Sequence, residues 1–208
     1  MSESTKIAGP VIGTKTALVI IDLQNDFLDA KGAYARGGDT NPPALLLPER
    51  VATVARAVKA AGGMVVASQF TLWPDAAGEP MVSPHLKALR PYLKKGDFAP
   101  GSWGQANVGV LAGLIDVTVS KVAYSAFFNT QLDWVLRRAG IDTVAVCGIV
   151  TNGGVASTVR DAHMRDYRTL VLADGCAAFG EERHQTSLAD MRNVAEVTDC
   201  AVFAQVLS

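Results

Sequence analysis

An aspartate and a lysine follow apolar segments of strand length, and together they could transfer protons. Asp22 comes directly after residues 17–21, and Lys121 follows residues 115–119 after one intervening residue. Taken singly, an aspartate at a strand end is more often a turn residue, and a lysine is most often a surface side chain. A buried carboxylate–ammonium pair is costly unless geometry or function justifies it. The two residues together are therefore candidates for general acid–base chemistry.

A glycine-rich segment, residues 148–154, joins a third apolar segment to a helical pattern. It could be only a tight turn, with Thr151 or Asn152 as the N-cap of the helix that follows. Its spacing matches neither the dinucleotide-binding fingerprint nor a phosphate-binding P-loop. No nucleotide site is predicted.

The cysteines and histidines offer weaker candidates. The three cysteines are an odd number without close spacing, which argues against a disulfide framework or a thiolate metal site. Cys147 lies within an apolar segment and is expected to point into the core. The three histidines show no metal-ligand spacing, so no metal site is predicted.

Apolar segments alternate with helical patterns along the chain. The predicted strands are residues 17–21, 64–67, 115–119, 143–147, 169–173 and 195–198. Between them, apolar residues recur at helical spacing, as in Val51, Val54, Ala55 and Val58, with Gly62-Gly63 as a helix stop. This alternation predicts an α/β fold, a three-layer α/β/α arrangement with a mostly parallel sheet of about six strands. Residues 1–208 are expected to form one domain.

Two segments do not fit the alternation. Residues 29–48 and 72–112 are rich in glycine and proline, and the second also contains Trp73 and Trp103. Both are too long for ordinary connections, so they are expected to carry function or form an oligomer contact. In a parallel sheet, ligands bind outside the carboxyl ends of the strands. Asp22, Gln69, Lys121 and the glycine-rich segment are all predicted to meet there.

Composition excludes several classes of partner. Lysine and arginine number 19 and aspartate and glutamate 20, a net charge of -1, so neither a nucleic-acid nor a membrane partner is expected. Residues 1–14 contain no apolar stretch of signal-peptide length, and no segment reaches the roughly 18 apolar residues of a membrane span. The sequence predicts a cytoplasmic protein that acts on a small molecule.

Several segments, in this order, resemble the isochorismatase-like hydrolase superfamily, and the resemblance covers nearly the whole chain. They read ALVIIDLQNDF at residues 17–27, KVAYSAF at 121–127, GIDTVAVCGI at 140–149 and VASTVRDA at 155–162. The resemblance implies a parallel sheet of about six strands, no cofactor, and assembly as a homo-oligomer, either a dimer or larger.

Most members of that superfamily are amidohydrolases with an Asp–Lys–Cys triad. Asp22 and Lys121 align with the first two members, but the cysteine position falls on Gly154. Glycine cannot form an acyl-enzyme, and Cys147 lies seven residues earlier, on the predicted strand.

The isochorismatases proper also have glycine there, and they cleave a vinyl ether to release pyruvate. By that analogy Asp22 would protonate the enol-ether carbon, Lys121 would bind substrate charge and hold Asp22, and Gln69 would hold the ether oxygen or water. Burial would raise the pKa of Asp22 and Lys121 would lower it. Three hypotheses stay open: vinyl-ether cleavage, amide or imide hydrolysis by water that Asp22 activates, and an inactive homologue that binds a metabolite.

The resemblance also implies which groups surround the bound substrate. It implies a cis peptide between Ile149 and Val150, which would turn the N–H groups of Val150 and Gly154 toward a substrate oxygen. Isochorismatases tend to carry Tyr-Ala-His where this chain has Val-Thr-Asn, so their aromatic and imidazole contacts to the substrate ring are missing here. Thr151 and Asn152 are the candidate substrate contacts at these positions. Residues 70–74 lack the Asp-x-His metal motif of nicotinamidases, which again predicts no catalytic metal. Aromatic residues that could line the pocket, or equally be ordinary packing, are Phe27, Trp73, Trp103 and Phe128.

Overall fold

A six-stranded parallel sheet forms the centre of the protein. A computed structural model describes residues 7–208. The strands are β1 (Thr16–Ile21), β2 (Met64–Phe70), β3 (Val117–Lys121), β4 (Thr143–Ile149), β5 (Arg168–Ala177) and β6 (Glu196–Thr198). They lie in the order β3-β2-β1-β4-β5-β6, and each neighbouring pair is parallel. The predicted α/β class and strand number are confirmed.

Helices connect the strands and cover the sheet. The α-helices of the described residues are α1 (Asn25–Leu28), α2 (Ala33–Arg36), α3 (Leu47–Ala60), α4 (Pro84–Leu89), α5 (Leu132–Arg138), α6 (Ala156–Met164), α7 (Glu181–Met191) and α8 (Cys200–Val206). Short 3-10 helices occupy Gly13–Lys15, Pro42–Leu46 and Gly109–Leu111, and a π-helical turn spans Thr151–Val155. Within residues 7–208, no helix is long and apolar enough to cross a bilayer. The first six residues of the segment 1–14 lie outside the described range.

The sequence pattern explains why these elements form. Every residue of β1 is buried, as expected for a central strand covered on both faces. The apolar stripe of α3 is buried, and its chain turns away at Gly62, whose φ of 79° suits glycine. Burial on both faces places the core on both sides of the sheet.

Every strand differs from its predicted bounds by at least one residue, and β2 to β5 all run past their predicted carboxyl ends. β3 begins at Val117 rather than residue 115 and continues to Lys121, because Asp116 closes a turn in which its carboxylate accepts the N–H of Val65 at 2.8 Å. β5 extends to Ala177, four residues beyond the predicted end, because it resumes pairing with the end of β4 after an irregularity. Both changes lengthen the sheet at its carboxyl edge, where the site lies.

The two long segments pack against each other over that edge. Residues 29–48 contribute Ala33 and Tyr34, and residues 72–112 contribute Leu72, Leu93 and Phe98 to a second apolar cluster, here called the loop cluster. The buried carboxylate of Asp26 accepts the N–H of Ala33 at 3.0 Å and that of Phe98 at 2.7 Å, so one side chain ties both segments together. Burial raises the pKa of this carboxyl.

Candidate active site

The sheet topology creates a crevice between β1 and β4. From β1 the chain builds outward through β2 and β3, and from β4 it builds in the other direction through β5 and β6. Loops leaving two such strands diverge, which leaves a space for a ligand beyond their carboxyl ends. Asp22 directly follows β1, and Ile149 ends β4.

The structure brings Asp22 and Lys121 together in that space. Lys121 Nζ lies 2.6 Å from Asp22 Oδ2, and their side chains are only 2% and 7% exposed. The other carboxylate oxygen, Oδ1, accepts the hydroxyl of Ser68 at 2.7 Å. Lys121 Nζ also donates to the carbonyl oxygen of Ala123 at 2.9 Å. The carboxylate is therefore held at both oxygens, with its charge paired.

The electrostatic environment of Asp22 contains opposing influences. Burial raises the pKa of this carboxyl, whereas the ammonium of Lys121 and the hydroxyl of Ser68 lower it, and the result is a pKa above the ordinary value. A carboxylate with a raised pKa is a stronger base than one in water, and its protonated form is populated at higher pH. The site thus suits proton transfer in either direction.

The turn after β4 has the predicted backbone. The peptide between Ile149 and Val150 is cis, as the resemblance implied. Gly148 has φ 115°, and a Cβ there would lie 2.1 Å from the carbonyl oxygen of Ile21, so only glycine fits. The π-helical turn then leads directly into α6.

No cysteine of the chain is placed to replace a nucleophile at position 154. Cys147, Cys176 and Cys200 all lie in the buried core cluster. Burial raises the pKa of each thiol, that of Cys176 to about 12, and so disfavours the reactive thiolate. The prediction that Cys147 points into the core is confirmed.

Position 154 itself is packed around glycine. An added Cβ would lie 2.8 Å from Cγ2 of Ile21 and 3.2 Å from the carbonyl oxygen of Ile149. Overpacking of this kind costs about 1–3 kcal/mol. We expect Gly154→Cys and the matched Gly154→Ala variant both to lose about this much free energy of unfolding in chemical denaturation. A Gly154→Cys protein as stable as the parent would contradict this packing.

The other predicted contact residues have different surroundings. On β2, side chains alternate between faces, so Ser68 meets Asp22 whereas Gln69 belongs to the opposite face. Thr151 is buried, and its hydroxyl lies 2.8 Å from Nδ1 of His184 rather than capping the helix. Asn152 is exposed.

The predicted aromatic residues separate into two groups. Phe27 packs in the loop cluster, with its ring centroid 4.6 Å from those of Tyr34 and Phe98. Trp73, Trp103 and Phe128 are each about half exposed, at 50%, 53% and 52%. Phe27 is therefore part of ordinary packing, whereas the two tryptophans and Phe128 lie at the surface of the protein.

Two residues near the site were not predicted from the sequence. Ser68 stands opposite Ile21 in the parallel register, which places it beside Asp22. Gln24 fixes the end of β2, because its side chain accepts the N–H of Phe70 at 2.8 Å and donates to the carbonyl oxygen of Phe70 at 3.0 Å. Alternation along β2 is a sequence signal that could have identified Ser68. In the described part of the chain, no three His, Cys, Asp or Glu side chains are grouped to hold a metal ion.

Several known proteins resemble this chain in sequence and in fold. The Isochorismatase domain family matches residues 16–202. A ureidoacrylate amidohydrolase RutB of Methylorubrum extorquens is 37% identical in an alignment 210 residues long, and this alignment covers 93% of this chain and 83% of that protein. Among solved structures, a cysteine hydrolase from Pseudomonas syringae pv. phaseolicola 1448A superposes with a TM-score of 0.82 at 27% identity, over 99% of this chain and 97% of that one.

The name of another solved structure specifies an amidase and its substrate. The N-carbamoylsarcosine amidase from Thermoplasma acidophilum superposes with a TM-score of 0.70 at 27% identity, over 89% of this chain and 96% of that one. The match to the family spans most of the chain, and the alignments cover most of the length of each relative. The protein belongs to the isochorismatase family and is a hydrolase of the isochorismatase-like type.

Proposed function

We propose that this hydrolase cleaves a C–N bond of a small carboxylate that carries a carbamoyl group, with water rather than a thiol as the nucleophile. This proposal rests on two features found together. The buried carboxylate of Asp22 is fixed at both oxygens, and position 154 has glycine instead of a nucleophilic side chain. The amidohydrolase and the amidase that resemble this chain have names that specify a ureido or carbamoyl group on a carboxylic acid. Their shared chemistry supports the substrate class.

The residues present can supply each proton transfer. Asp22 accepts a proton as water attacks the carbamoyl carbon, and the N–H groups of Val150 and Gly154 stabilise the negative oxygen that forms. Asp22 then returns the proton to the leaving nitrogen, so ammonia departs and a carbamic acid remains. Lys121 keeps Asp22 in place through its 2.6 Å contact and balances its charge.

A second candidate is vinyl-ether cleavage, and the raised pKa of Asp22 favours it. A protonated Asp22 would deliver its proton to the terminal enol-ether carbon, and water would add to the resulting cation. The hemiketal would then collapse to pyruvate and an alcohol. This reaction needs no nucleophilic side chain, which agrees with glycine at position 154.

Product analysis separates the candidates. Purified protein is given ureidoacrylate, N-carbamoylsarcosine or isochorismate, and ammonia and pyruvate are measured for the parent and for Asp22→Asn. Ammonia release that depends on Asp22 would support the proposal, and pyruvate release that depends on it would support the second candidate. If the parent protein turns over none of the three, the proposal fails for these substrates and the metabolite-binding alternative gains weight.

The pH dependence of turnover distinguishes a base from an acid. If Asp22 must be ionised to act as a base, kcat/KM rises with pH through its pKa, which burial sets above the usual 3.8. If it must be protonated to act as an acid, kcat/KM falls across the same range. We expect a rising limb, measured under conditions where the protein stays folded. A falling limb that disappears in Asp22→Asn would instead assign the acid role.

Three further predictions from the sequence concern location, assembly and cofactors. They are a cytoplasmic location, assembly as a homo-oligomer, and catalysis without a cofactor or metal. Size-exclusion chromatography with light scattering tests the assembly, and activity after dialysis against a chelator tests the metal.

A further inference from the structure

Helix α7 makes two side-chain hydrogen bonds to Thr151, in the turn after β4. The hydroxyl of Thr151 lies 2.8 Å from Nδ1 of His184, and its carbonyl oxygen accepts the hydroxyl of Ser187 at 3.2 Å. His184 and Ser187 are three residues apart on α7 and so share one face of that helix. Residues 150–155, here called the donor turn, are therefore held by a helix 33 and 36 positions later in the chain.

These bonds do more than fill space around the donor turn. Thr151 is fully buried, and valine, which has nearly the same shape, would fill the same volume without a polar group. A buried hydroxyl costs free energy unless it is hydrogen-bonded. Hydrogen bonds fix the orientation of a segment, whereas apolar contacts tolerate sliding and rotation. The contact of Thr151 with His184 therefore indicates a turn whose orientation matters.

The proposed function gives that orientation a chemical role. It assigns the N–H groups of Val150 and Gly154 to the negative oxygen of the reaction, and these residues lie on either side of Thr151. Gly154 is held from α6, where the hydroxyl of Thr158 donates to its carbonyl oxygen at 2.7 Å. Donors of this kind are effective because they need no reorganisation during the reaction. A loose donor turn would consequently lower the rate.

We infer that His184 is a positioning residue for the reaction, which fixes the donor turn through Thr151 and does so as a neutral imidazole. Nδ1 of a neutral ring can accept the hydroxyl hydrogen of Thr151, whereas both nitrogens of a protonated ring only donate. The inference rests on the proposed function, because that function uses the N–H groups of this turn.

The surroundings of His184 favour the neutral ring. Burial lowers the pKa of His184, and the carboxylate of Glu181 on the same helix opposes this change. Two further titratable groups line the cavity of about 400 Å³ that His184 and Glu181 also line: Asp39, which precedes α3, and Cys176, near the end of β5. Protonation would therefore loosen the donor turn only on the acid side of the usual histidine pKa of 6.5.

A double-mutant cycle tests whether His184 acts through Thr151. Ammonia release from ureidoacrylate is measured for His184→Leu, Thr151→Val and the double variant. Each single change should lower kcat about 10- to 100-fold with a smaller effect on KM, because the misplaced donors act on charge that develops in the transition state. The double variant should be no slower than the slower single one. Losses that multiply would overturn the inference.

The variant His184→Asn separates the hydrogen bond from the bulk of the ring. Its amide can place a polar atom near the position of Nδ1 and does not titrate. We expect near-parent kcat and no dependence on histidine ionisation. His163→Leu, at an exposed histidine near the end of α6, is the matched control and should keep the parent kcat. A kcat for His184→Asn as low as that of His184→Leu would overturn the inference.

Hydrogen exchange of the full chain examines the donor turn without a substrate. The N–H groups of Gly153 and Val155 donate to the carbonyl oxygen of Val150 at 2.9 and 3.3 Å. In His184→Leu these two amides should exchange about fivefold faster or more, while those of α4, which has no buried residue, keep their rates. Unchanged rates in the turn, or equal acceleration in α4, would overturn the inference.

The two measurements separate this inference from the proposed function. If the parent protein releases no ammonia but the turn responds to His184→Leu, the proposed function fails for this substrate, while the hold of His184 on the turn is supported. If the parent releases ammonia and the turn does not respond, the inference alone fails.

Discussion

Asp22→Asn should lower kcat/KM of the hydrolase about 100- to 10,000-fold, the range that a positioned general acid or base contributes. Asparagine has nearly the same shape but neither accepts nor returns a proton at the pH of the reaction. Ser68 contacts one oxygen of Asp22 and Lys121 contacts the other. Neither can replace Asp22 as a base, because each donates a hydrogen to it. Steady-state kinetics with the substrate identified by product analysis measures the loss.

Asp142→Asn is the matched control for that experiment. Asp142 precedes β4 at the amino edge of the sheet, and its side chain is 59% exposed in an ion pair with Lys15. Exposed pairs contribute little to stability, so kcat/KM should stay near the parent value. If Asp22→Asn retained most of its turnover while the protein stayed folded, Asp22 would not be the proton-transfer group.

Lys121→Met should lower the free energy of unfolding by about 3–5 kcal/mol, the cost of removing one partner of a buried ion pair. Methionine fits the aliphatic part of the lysine side chain, so the main change is that the carboxylate of Asp22 loses its partner at 2.6 Å. Chemical denaturation at neutral pH measures the loss. Lys15→Met, at a pair that is 55% and 59% exposed, should change stability by less than about 1 kcal/mol.

The double variant Asp22→Asn, Lys121→Met shows whether the loss comes from the charge. With both charges gone, no unpaired ion stays buried, so the double variant should be more stable than the sum of the two single changes predicts. Strict additivity would indicate that the two side chains stabilise the fold independently, and the ion pair would then not be the source of the effect.

Much of the fold was predictable because its signals are local. A continuous apolar segment defines β1, and an apolar stripe that ends before Gly62 defines α3. Parallel strands bring their carboxyl ends to one edge, which is why Asp22 and Lys121 meet. The boundaries of β3 and β5 were not predictable, because they depend on Asp116 and on the bulge beside β4. Those contacts join residues distant in sequence.

The surroundings of the site were harder to predict than its central pair. Choosing Ser68 over Gln69 requires the face that each occupies, and a shift of one residue along a strand reverses that face. The contact between Thr151 and His184 joins residues 33 positions apart. The packing of residues 29–48 against 72–112 follows from tertiary contacts that no local pattern encodes.

The carboxylate of Asp26 has a consequence for how substrate could reach the site. Its two oxygens hold Ala33 in one long segment and Phe98 in the other, and both segments also pack in the loop cluster, so movement of either segment removes apolar contacts from the other. Opening of the two segments is then a single cooperative event with one free energy rather than two independent ones. Mutations that loosen one segment would consequently speed the opening of both, and sequence change in either is constrained by the other.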